Sequence, residues 1–416
     1  MARNKVRFIE RLESSVIPLI QQEGADRKVT EFWPKVLLAV LKGISKIFAG
    51  VVWLRMWFFR IGVLRRWPLG CQVISVGNVT AGGTGKTPVV EKFARELTKE
   101  GRRVAILSRG YRRKEKPFLQ RLFSSTDEPP LIVSDGRRVL LDSETGGDEP
   151  YMLASNLPGV VVLVDRNRVK SGRYATQKLG CDTLILDDGF QYQKLRHSHD
   201  IVLVDKTNPF GNGNLLPRGV LREGIHNIRR ADFIFITKSD GNSEALRKRI
   251  RQYNNHAEII ECRHAPKCLR NVYGPETLDL TWLRGKRVVA LSGIAVPQSF
   301  ENFLRGYGAE IAECVRYADH HRYATQEVIN VVNHTADLEC DALITTEKDA
   351  VRFPRLTTTA VPVYYLRIEI EILKGADSFR DAVLHICFKD EPRGHRASAE
   401  PAKAAPAKPV TAQEKA

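Results

Sequence analysis

Gly85, Lys86 and Thr87 are the residues of this chain whose types and order most clearly indicate a chemistry. They close a glycine-rich loop, NVTAGGTGKT, which follows the apolar run Val73–Val76 and precedes a helix-like run with Pro88 in its first turn. Backbone N–H groups in such a loop turn inward toward an anion, and the following helix adds the positive end of its dipole. The lysine reaches the terminal phosphates of a nucleotide, and the threonine hydroxyl ligates Mg²⁺. We therefore predict a nucleotide site formed by Thr80, Ala81, Gly82, Gly83, Thr84, Gly85, Lys86 and Thr87.

One position of this phosphate loop, residues 80–87, departs from the usual pattern. A phosphate loop normally has glycine five residues before its second glycine, where this chain has Thr80. In our interpretation Gly82 and Gly83 supply the missing flexibility. The alternative is a glycine-rich turn without a ligand, and we favour the nucleotide site because strand, loop, Gly-Lys-Thr and helix occur together.

Asp187 and Asp188 follow the apolar run Thr183–Leu186, downstream of the phosphate loop. Acidic side chains at the end of a buried strand stand where a nucleotide-bound Mg²⁺ needs ligands. One carboxylate would ligate the metal through water while the other positions it. The alternative is a strand terminus that turns at Gly189.

The segment SRGYRRK, residues 108–114, follows the second predicted strand and is rich in arginine. Arginine makes bidentate contacts with phosphate oxygens, and this segment would face the same crevice as the phosphate loop. Arg109 belongs to this run, and Arg166, after the third predicted strand, is a weaker instance of the same pattern. A solvated surface run is the alternative.

Two further segments contain acid–base residues whose role the residue types leave open. Asp148 belongs to the tight turn GGDEP, where it is either the cap of a helix or an acid with a chemical role. Asp319 and His320, in the sequence YADHHRY, have the composition of an acid–base pair, although a loop histidine with a structural role fits as well.

Nine apolar runs, several of them separated by helix-like segments, would position these residues. Such alternation indicates a parallel sheet covered on both faces, and ligands of such sheets bind at the carboxyl ends of the strands. We predict an α/β fold of the P-loop NTPase type: a mainly parallel sheet with helices on both faces, an N-terminal membrane-associated helix and a smaller C-terminal α/β lobe. The predicted strands are Val73–Val76, Arg103–Ser108, Val160–Val164, Asp182–Asp187, Ile201–Asp205, Phe233–Thr237, Arg287–Ser292, Asp341–Thr346 and Val361–Leu366.

The 416 residues divide into five parts in our prediction. These are an amphipathic N-terminal extension (1–31), a membrane-interface helix (32–67), a P-loop core (68–262), a C-terminal α/β lobe that packs on the core (263–388) and a disordered tail (389–416), which is rich in Ala, Pro and Lys.

Residues 32–67 are strongly apolar but are interrupted by Lys42, Lys46, Arg55 and Arg60, so no uncharged run approaches the ~18 residues of a simple spanning helix. Tryptophan and phenylalanine beside lysine and arginine are typical of a helix that lies in a membrane interface, with its cations near anionic headgroups. A core helix packed on the sheet and a tilted span with snorkelling cations are the alternatives.

The charge and the cysteine content indicate what kind of partner the protein has and which compartment it occupies. The chain has 65 Lys and Arg against 48 Asp and Glu, a net charge of +17, which indicates an anionic partner such as nucleic acid, a membrane surface or a phosphorylated substrate. Seven scattered cysteines with no CxxC pair indicate reduced thiols in a cytosolic compartment and argue against a disulfide framework or a zinc site.

These motifs together resemble those of the tetraacyldisaccharide 4′-kinases, the lipid A 4′-kinase family of Gram-negative-type envelopes. The combination of GGTGKTP, GDEP and LDDGFQ is highly specific, and the family tolerates a small hydroxyl residue at the position of Thr80. The motifs recur in the family's order across roughly residues 35–370: SVGNVTAGGTGKTPVV, LSRGYRRK, GGDEPYMLA, VDRNR, LILDDGFQ, LREG, RRAD, Thr237-Lys238, Ala318–His320 and TTEKDAVR at 345–352.

The resemblance implies transfer of the γ-phosphoryl group of ATP, with Mg²⁺, to the 4′-hydroxyl of a tetraacylated glucosamine disaccharide 1-phosphate, which gives lipid IVA. It implies that Asp148 accepts the hydroxyl proton, with His320 as its dyad partner, and that Lys86 is catalytic. The implied metal ligands are Thr87, Glu149, Asp187 and Asp188, and the implied substrate contacts are Arg109, Tyr111, Arg166 and Gln191.

The resemblance also implies a location. The family's N-terminal hydrophobic helix matches Val36–Leu64, which implies attachment to the inner leaflet of the inner membrane, peripheral or monotopic, with the catalytic domain facing the cytoplasm. We expect the acylated lipid and the membrane surface as partners, and neither nucleic acid nor an obligate protein partner. In the motif that is commonly FQHRRL, Tyr192 and Gln193 replace a histidine and an arginine.

Two other functions fit parts of the pattern. A membrane-associated switch ATPase of the partitioning type also uses a GGTGKT-like loop, but it carries an extra lysine at the loop's start, where this chain has Val79-Thr80-Ala81. A nucleic-acid-binding NTPase would explain the net charge, but the basic residues cluster in the membrane-like segment and around the proposed phosphate crevice.

Overall fold

A computed structural model describes residues 32–110 and 128–388 of the chain. The predicted N-terminal extension (1–31), the predicted tail (389–416) and Tyr111 lie outside the described residues.

One hydrogen-bonded sheet of thirteen strands organises the described part of the chain. Its order is β11-β10-β12-β13-β8-β7-β6-β1-β5-β2-β4-β3, with the short β9 beside β8. Neighbouring strands are parallel except for three antiparallel pairs: β3 with β4, β8 with β13 and β8 with β9. The strands are β1 Gln72–Asn78, β2 Val104–Ser108, β3 Leu131–Asp135, β4 Val161–Val164, β5 Thr183–Asp187, β6 His199–Asp205, β7 Phe233–Thr237, β8 Glu258–Asn271, β9 Thr277–Leu278, β10 Arg287–Ser292, β11 Glu310–Arg316, β12 Ala342–Thr346 and β13 Val363–Lys374.

Helices cover both faces of this sheet, as the predicted α/β fold requires. The α-helices of the described residues are α1 Phe32–Arg60, α2 Lys86–Lys99, α3 Ser143–Gly146, α4 Asp148–Asn156, α5 Arg168–Gln177, α6 Glu244–Arg251, α7 Pro297–Gly306, α8 Thr325–Asp337, α9 Glu347–Ala350 and α10 Ala376–Phe388. Two 3₁₀ turns, Ile225–Arg230 and Leu280–Leu283, complete the elements.

The core beneath the phosphate loop explains the position of α2. Its apolar residues recur at helical spacing, and Val89, Phe93 and Leu97 are buried against strands β1, β2 and β5. Helix α10 returns from the end of the described chain to the same core, where the Phe379 ring lies 4.9 Å from that of Phe93. Strands β1 to β7 are consecutive neighbours in the sheet and form its P-loop half. A helix from the C-terminal part of the chain therefore covers this half.

Strands β8 and β13 join the two halves of the sheet. They form a long antiparallel pair in which Asn271 faces Tyr364 and Glu261 faces Lys374. The predicted boundary between residues 262 and 263 lies inside β8, and the division into a core and a C-terminal lobe stays a prediction.

Helix α1 is largely exposed. Leu38 and Phe59 are buried, and the Ser45 hydroxyl donates to the Leu215 carbonyl at 2.8 Å. Most of its other large apolar side chains are half-buried or exposed, so the alternative of a core helix is wrong. The exposed ones are Val36, Val40, Ile44, Ile47, Val51, Trp53, Leu54 and Trp57. The helix ends at Arg60, short of residue 67, and Gly62 follows with a left-handed φ of +82°.

Candidate active site

The phosphate loop lies between β1 and α2, at the carboxyl edge of the sheet. Gly85 caps α2 with φ +78°, a left-handed conformation that disfavours residues with a side chain. A Cβ atom there would lie 2.7 Å from the imidazole Nε2 of His264, so the space also requires glycine. Two hydrogen bonds hold the loop from outside: Thr237 Oγ1 donates to the Thr84 carbonyl at 2.9 Å, and the Ala81 amide donates to the Val220 carbonyl.

Lys86 points to Asp188, the acid that follows β5. Its Nζ lies 3.2 Å from Asn78 Oδ1 and 3.3 Å from Asp188 Oδ1. Arg222 Nη1 donates to both oxygens of Asp188 at 2.8 Å. Burial opposes the charge of Asp188, but Lys86 and Arg222 outweigh it and hold the pKa of this carboxyl below its usual value.

Asp187 has the opposite environment, although it is the adjacent residue. Burial, together with the nearby charges of Glu149 and Asp188, raises the pKa of Asp187 to about 7, and Lys86 and Arg168 only partly offset this. Ser108 Oγ donates to its Oδ2 at 3.3 Å. A buried carboxyl crowded by two other acids is stabilised by a cation.

The donors near the phosphate loop suit Mg²⁺ but are not a preformed cage. Thr87 is buried at the start of α2, and Glu149 and Asp188 lie close enough to Asp187 to raise its pKa. Among residues 32–110 and 128–388, no group of three or more His, Cys, Asp or Glu side chains is arranged to hold a metal ion. Mg²⁺ is commonly held by one or two carboxylates together with substrate phosphates, so the oxygen donors present here fit that mode.

Asp148 begins α4, and the structure overturns the alternative that it caps this helix. The capping residue is Gly147, with φ +96° and no side-chain hydrogen bond. The Asp148 carboxylate instead receives two arginines: Arg322 Nη2 donates to Oδ1 at 3.0 Å, and Arg352 Nε donates to Oδ2 at 2.8 Å.

His320 lies beside Asp148, as the resemblance implies, but an arginine connects the two. The distance from His320 Nδ1 to Asp148 Oδ2 is 3.7 Å, whereas Arg352 Nη2 lies 3.0 Å from His320 Nδ1. A guanidinium has only donors, so Nδ1 is the acceptor of this bond. The backbone of His320 is left-handed, with φ +64°, and its amide donates to the Gly293 carbonyl at 3.2 Å.

The motif TTEKDAVR, to which no role is assigned from the sequence, supplies the residues that sequence reasoning missed. Lys348 Nζ lies 3.9 Å from Glu149 Oε1, and Glu347 accepts a hydrogen bond from Asn156 at the end of α4. Arg352 contacts Asp148. Three residues of the motif thus meet the helix that carries GDEP, across about two hundred residues of sequence.

The predicted substrate contacts differ in their surroundings. Arg109 and Arg166 are exposed and follow the neighbouring parallel strands β2 and β4 at the carboxyl edge of the sheet. Gln191 uses its amide nitrogen within the protein, donating to the Asn78 carbonyl at 2.9 Å and to Glu223 Oε1 at 2.8 Å. The backbone carbonyl of Gln191 accepts a hydrogen bond from the Arg55 side chain of α1.

Tyr192, the residue that departs from the FQHRRL pattern, lies inside this edge. Its hydroxyl accepts a hydrogen bond from the Arg168 amide at 3.0 Å, and the Arg168 guanidinium lies 4.8 Å above its ring. Arg168 also donates to the Asp187 carbonyl, so Tyr192 supports the end of β5.

Known proteins resemble this chain in sequence and in fold. The family model described as Tetraacyldisaccharide-1-P 4′-kinase matches residues 37–387. Proteins named tetraacyldisaccharide 4′-kinase are similar in Syntrophus aciditrophicus (39% identity over 360 residues, 84% of this chain and 93% of the relative) and in Halothermothrix orenii (36% over 386 residues, 88% and 96%). The crystal structure of LpxK from Aquifex aeolicus in complex with ATP superimposes with a TM-score of 0.67 at 29% identity, covering 84% of this chain and 99% of the other.

Proposed function

The chain belongs to the tetraacyldisaccharide-1-P 4′-kinase family, and on that premise we propose how its residues transfer the γ-phosphoryl group of ATP. Its relatives are named tetraacyldisaccharide 4′-kinase, and the reaction is phosphorylation of the 4′-hydroxyl of a tetraacylated glucosamine disaccharide 1-phosphate in lipid A biosynthesis. The switch ATPase of the partitioning type is accordingly not retained.

One observation supports a single active site most directly. Glu149, which follows Asp148 in the chain, is close enough to Asp187 to raise the pKa of that residue. Asp187 adjoins Asp188, which pairs with Lys86 of the phosphate loop. These contacts support a proposed base that lies near the proposed phosphate site.

In the proposed mechanism, the phosphate loop binds the donor and Asp148 orients the acceptor. The backbone N–H groups of residues 82–87 and the ammonium of Lys86 stabilise the charge on the transferring phosphoryl group. Asp148 accepts the proton of the 4′-hydroxyl. The oxygen of that hydroxyl forms a bond to the γ-phosphorus as the bond between the γ-phosphorus and ADP breaks. Thr87, Glu149, Asp187 and Asp188 would hold Mg²⁺, which when bound neutralises charge on the donor phosphates.

The substrate contacts are assigned by surroundings. Arg109 and Arg166, exposed at the carboxyl edge, are suited to bind anionic groups of the acceptor lipid, and Tyr111 shares the same segment by sequence. For Gln191 we propose a positioning role, because its amide nitrogen already holds the loop after β5 to Asn78 and Glu223.

Helix α1 supports attachment to the inner leaflet of the cytoplasmic membrane. Residues Lys35–Arg60 are long and apolar enough to cross a membrane by length and composition alone, and few of them are buried. Lys42, Lys46 and Arg55 interrupt the apolar sequence, which favours a helix lying in the interface with its cations at the headgroups. The acyl chains of the acceptor lie in the membrane, so an enzyme attached to the membrane surface meets its lipid substrate there.

The test is transfer of labelled γ-phosphate from Mg-ATP to tetraacyldisaccharide 1-phosphate in detergent micelles. We expect labelled lipid from the wild type, none from Lys86→Ala, and severely reduced turnover with near-normal ATP binding from Asp148→Asn. Lys99→Ala, an exposed lysine at the far end of the same helix, is the matched control and should label lipid normally. Wild-type turnover in Asp148→Asn would rule out Asp148 as the base. ATP hydrolysis without labelled lipid would rule out the proposed acceptor.

A further inference from the structure

Arg352 is the best-fixed member of the group around Asp148. Its side chain is 1% exposed, and each of three nitrogens has a different partner. Nε donates to Asp148 Oδ2 at 2.8 Å, Nη2 to His320 Nδ1 at 3.0 Å and Nη1 to Asp349 Oδ1 at 3.3 Å. A planar guanidinium with this set of bonds fixes the relative orientation of all three partners.

Asp349 anchors this arrangement from behind. It is fully buried, and its carboxylate also accepts hydrogen bonds from the Gly293 amide, the Tyr323 hydroxyl and the Thr346 hydroxyl. Such a carboxylate does not reorient without losing several buried bonds. The position of Arg352 is therefore set by the C-terminal half of the sheet.

Arg322 makes a useful comparison because it pairs with the same carboxylate. Its side chain is 43% exposed, and its partners in the described structure are Asp148 Oδ1 at 3.0 Å and, at the longer distance of 3.4 Å, the Ser143 carbonyl. An exposed pair of this kind contributes little, since holding long side chains in place and screening by solvent offset the attraction.

We propose that Arg352 is a positioning residue of the phosphoryl transfer, which rests on the proposed role of Asp148 as the base. It holds the Asp148 carboxylate in the orientation that receives the 4′-hydroxyl proton. It also fixes the tautomer of His320, with the lone pair of Nδ1 toward the guanidinium and the proton on Nε2. Asp148 and His320 are thus connected through Arg352 rather than by a direct hydrogen bond to each other. Phosphoryl transfer depends mainly on positioning, so this arrangement matters for the rate.

Steady-state kinetics with Arg352→Ala, Arg352→Lys and Arg322→Ala separate positioning from charge. We expect Arg352→Ala to lower kcat by about a hundredfold, the usual cost of misplacing a catalytic group by an ångström, with the KM for Mg-ATP nearly unchanged. Arg352→Lys should recover little of the kcat that Arg352→Ala loses, because one ammonium cannot donate to three acceptors fixed in these positions. Arg322→Ala should lower kcat by only a few-fold, roughly as expected for an exposed pair.

A double variant tests whether Arg352 acts through Asp148. In an Asp148→Asn background, Arg352→Ala should lower the residual kcat by less than about threefold, since residues that act as a unit are not additive. A full hundredfold further loss would place the role of Arg352 elsewhere and overturn the proposal. So would a kcat of Arg352→Ala within a few-fold of wild type.

The outcomes also separate this proposal from the proposed function. An inactive Asp148→Asn with an active Arg352→Ala overturns only the positioning role, whereas an active Asp148→Asn overturns the base assignment itself. Thermal unfolding of each variant is measured alongside the kinetics. If Arg352→Ala does not fold, Arg352→Lys, which keeps a cation beside Asp349, decides: wild-type kcat in it overturns the proposal.

Discussion

Lys86 has two partners within the protein. Its ammonium lies 3.2 Å from Asn78 Oδ1 and 3.3 Å from Asp188 Oδ1, which leaves one of its three N–H donors for a nucleotide phosphate. Arg222 donates to both oxygens of Asp188 and so shares this carboxylate with the lysine. We infer that these contacts hold Lys86 in position for the phosphates.

The proposed role of Asp187 as a Mg²⁺ ligand predicts that the affinity for Mg²⁺ depends on pH. Its pKa is raised to about 7, because burial and the neighbouring acids Glu149 and Asp188 disfavour the charged form. A metal ligand must be deprotonated, so we expect Mg-ATP to raise the thermal unfolding midpoint more at about pH 8 than at about pH 6. Asp187→Asn should remove most of that difference. Equal midpoint shifts at both pH values in the wild type would contradict the prediction.

Without metal the same carboxyl affects stability in the opposite direction. A carboxyl whose pKa is higher in the folded than in the unfolded state adds stability below about pH 4, and this is lost as the pH rises through about 7. The free energy of unfolding of the wild type should therefore fall relative to Asp187→Asn over this range. Urea unfolding at several pH values measures it, and a difference that stays constant with pH would rule out the raised pKa.

Gly85 is the position of the phosphate loop that tolerates a side chain least. Gly85→Ala combines a left-handed φ of +78° with a Cβ placed 2.7 Å from the His264 ring. We expect a loss of about 1–3 kcal/mol in the free energy of unfolding, the usual cost of such strain. Gly83→Ala is the matched control for stability, because nothing lies within 4 Å of its Cβ position. Equal losses in the two variants would mean that neither contact nor backbone conformation matters at Gly85.

At the level of elements, the sequence predicted the strands that are buried on both faces. Strands β1, β2, β4 to β7, β10 and β12 are continuous apolar runs, and they appear close to their predicted bounds. Strands β3, β8, β9 and β11 were missed. β11 lies at the edge of the sheet, where its polar residues are exposed, and β8 carries charges and a proline where it leaves the core. The sequence of β13 beyond Leu366 alternates in polarity, and the strand runs on to Lys374.

The site was predictable where its residues are neighbours in sequence. The phosphate loop and the pair Asp187-Asp188 follow buried strands, so their common edge can be inferred from an α/β pattern. The bond from Arg352 to Asp148 joins residues 204 positions apart. No spacing rule connects such residues, and an arginine in a charged segment is usually a surface residue.

Helix α1 leads to a prediction about membrane binding. Trp53 and Trp57 are exposed, and their rings stack with centroids 6.4 Å apart. Replacing both with aspartate should lower partitioning onto anionic lipid vesicles by at least about tenfold, since burying one large apolar side chain is worth about 1.5–3 kcal/mol. Vesicle sedimentation measures this. Tyr253→Asp, a change to an exposed aromatic next to α6, should have no effect, and unchanged binding of the double tryptophan variant would exclude α1 as the attachment surface.

On the scale of the whole molecule, Arg367 links the two halves of the sheet. It projects from β13, is 2% exposed, and donates to both oxygens of Glu347 at 2.9 and 2.7 Å. It also pairs with Glu91 of α2, the helix that begins at the phosphate loop. The distance between the loop and the α9 segment therefore depends on one buried cation.

Removing this cation should be costly. Arg367→Ala leaves Glu91 and Glu347 without their shared partner, and breaking a buried pair typically costs about 3–5 kcal/mol of the free energy of unfolding. Arg263→Ala is the matched control, since Arg263 forms an exposed pair with Glu371 across the same two strands and should matter little. Urea unfolding of the two variants compares them. A control that loses as much stability as Arg367→Ala would show that burial is not the cause.

The pairing of β8 with β13 also dictates when the protein can finish folding during its synthesis. Asn271 and Tyr364 face each other, yet nearly a hundred residues separate them along the chain. Phe93 and Phe235 of the P-loop half are covered by Phe379, which follows still later. We therefore expect a nascent chain that has emerged from the ribosome only as far as β7 to expose this aromatic core, and to remain prone to aggregation until α10 has emerged as well.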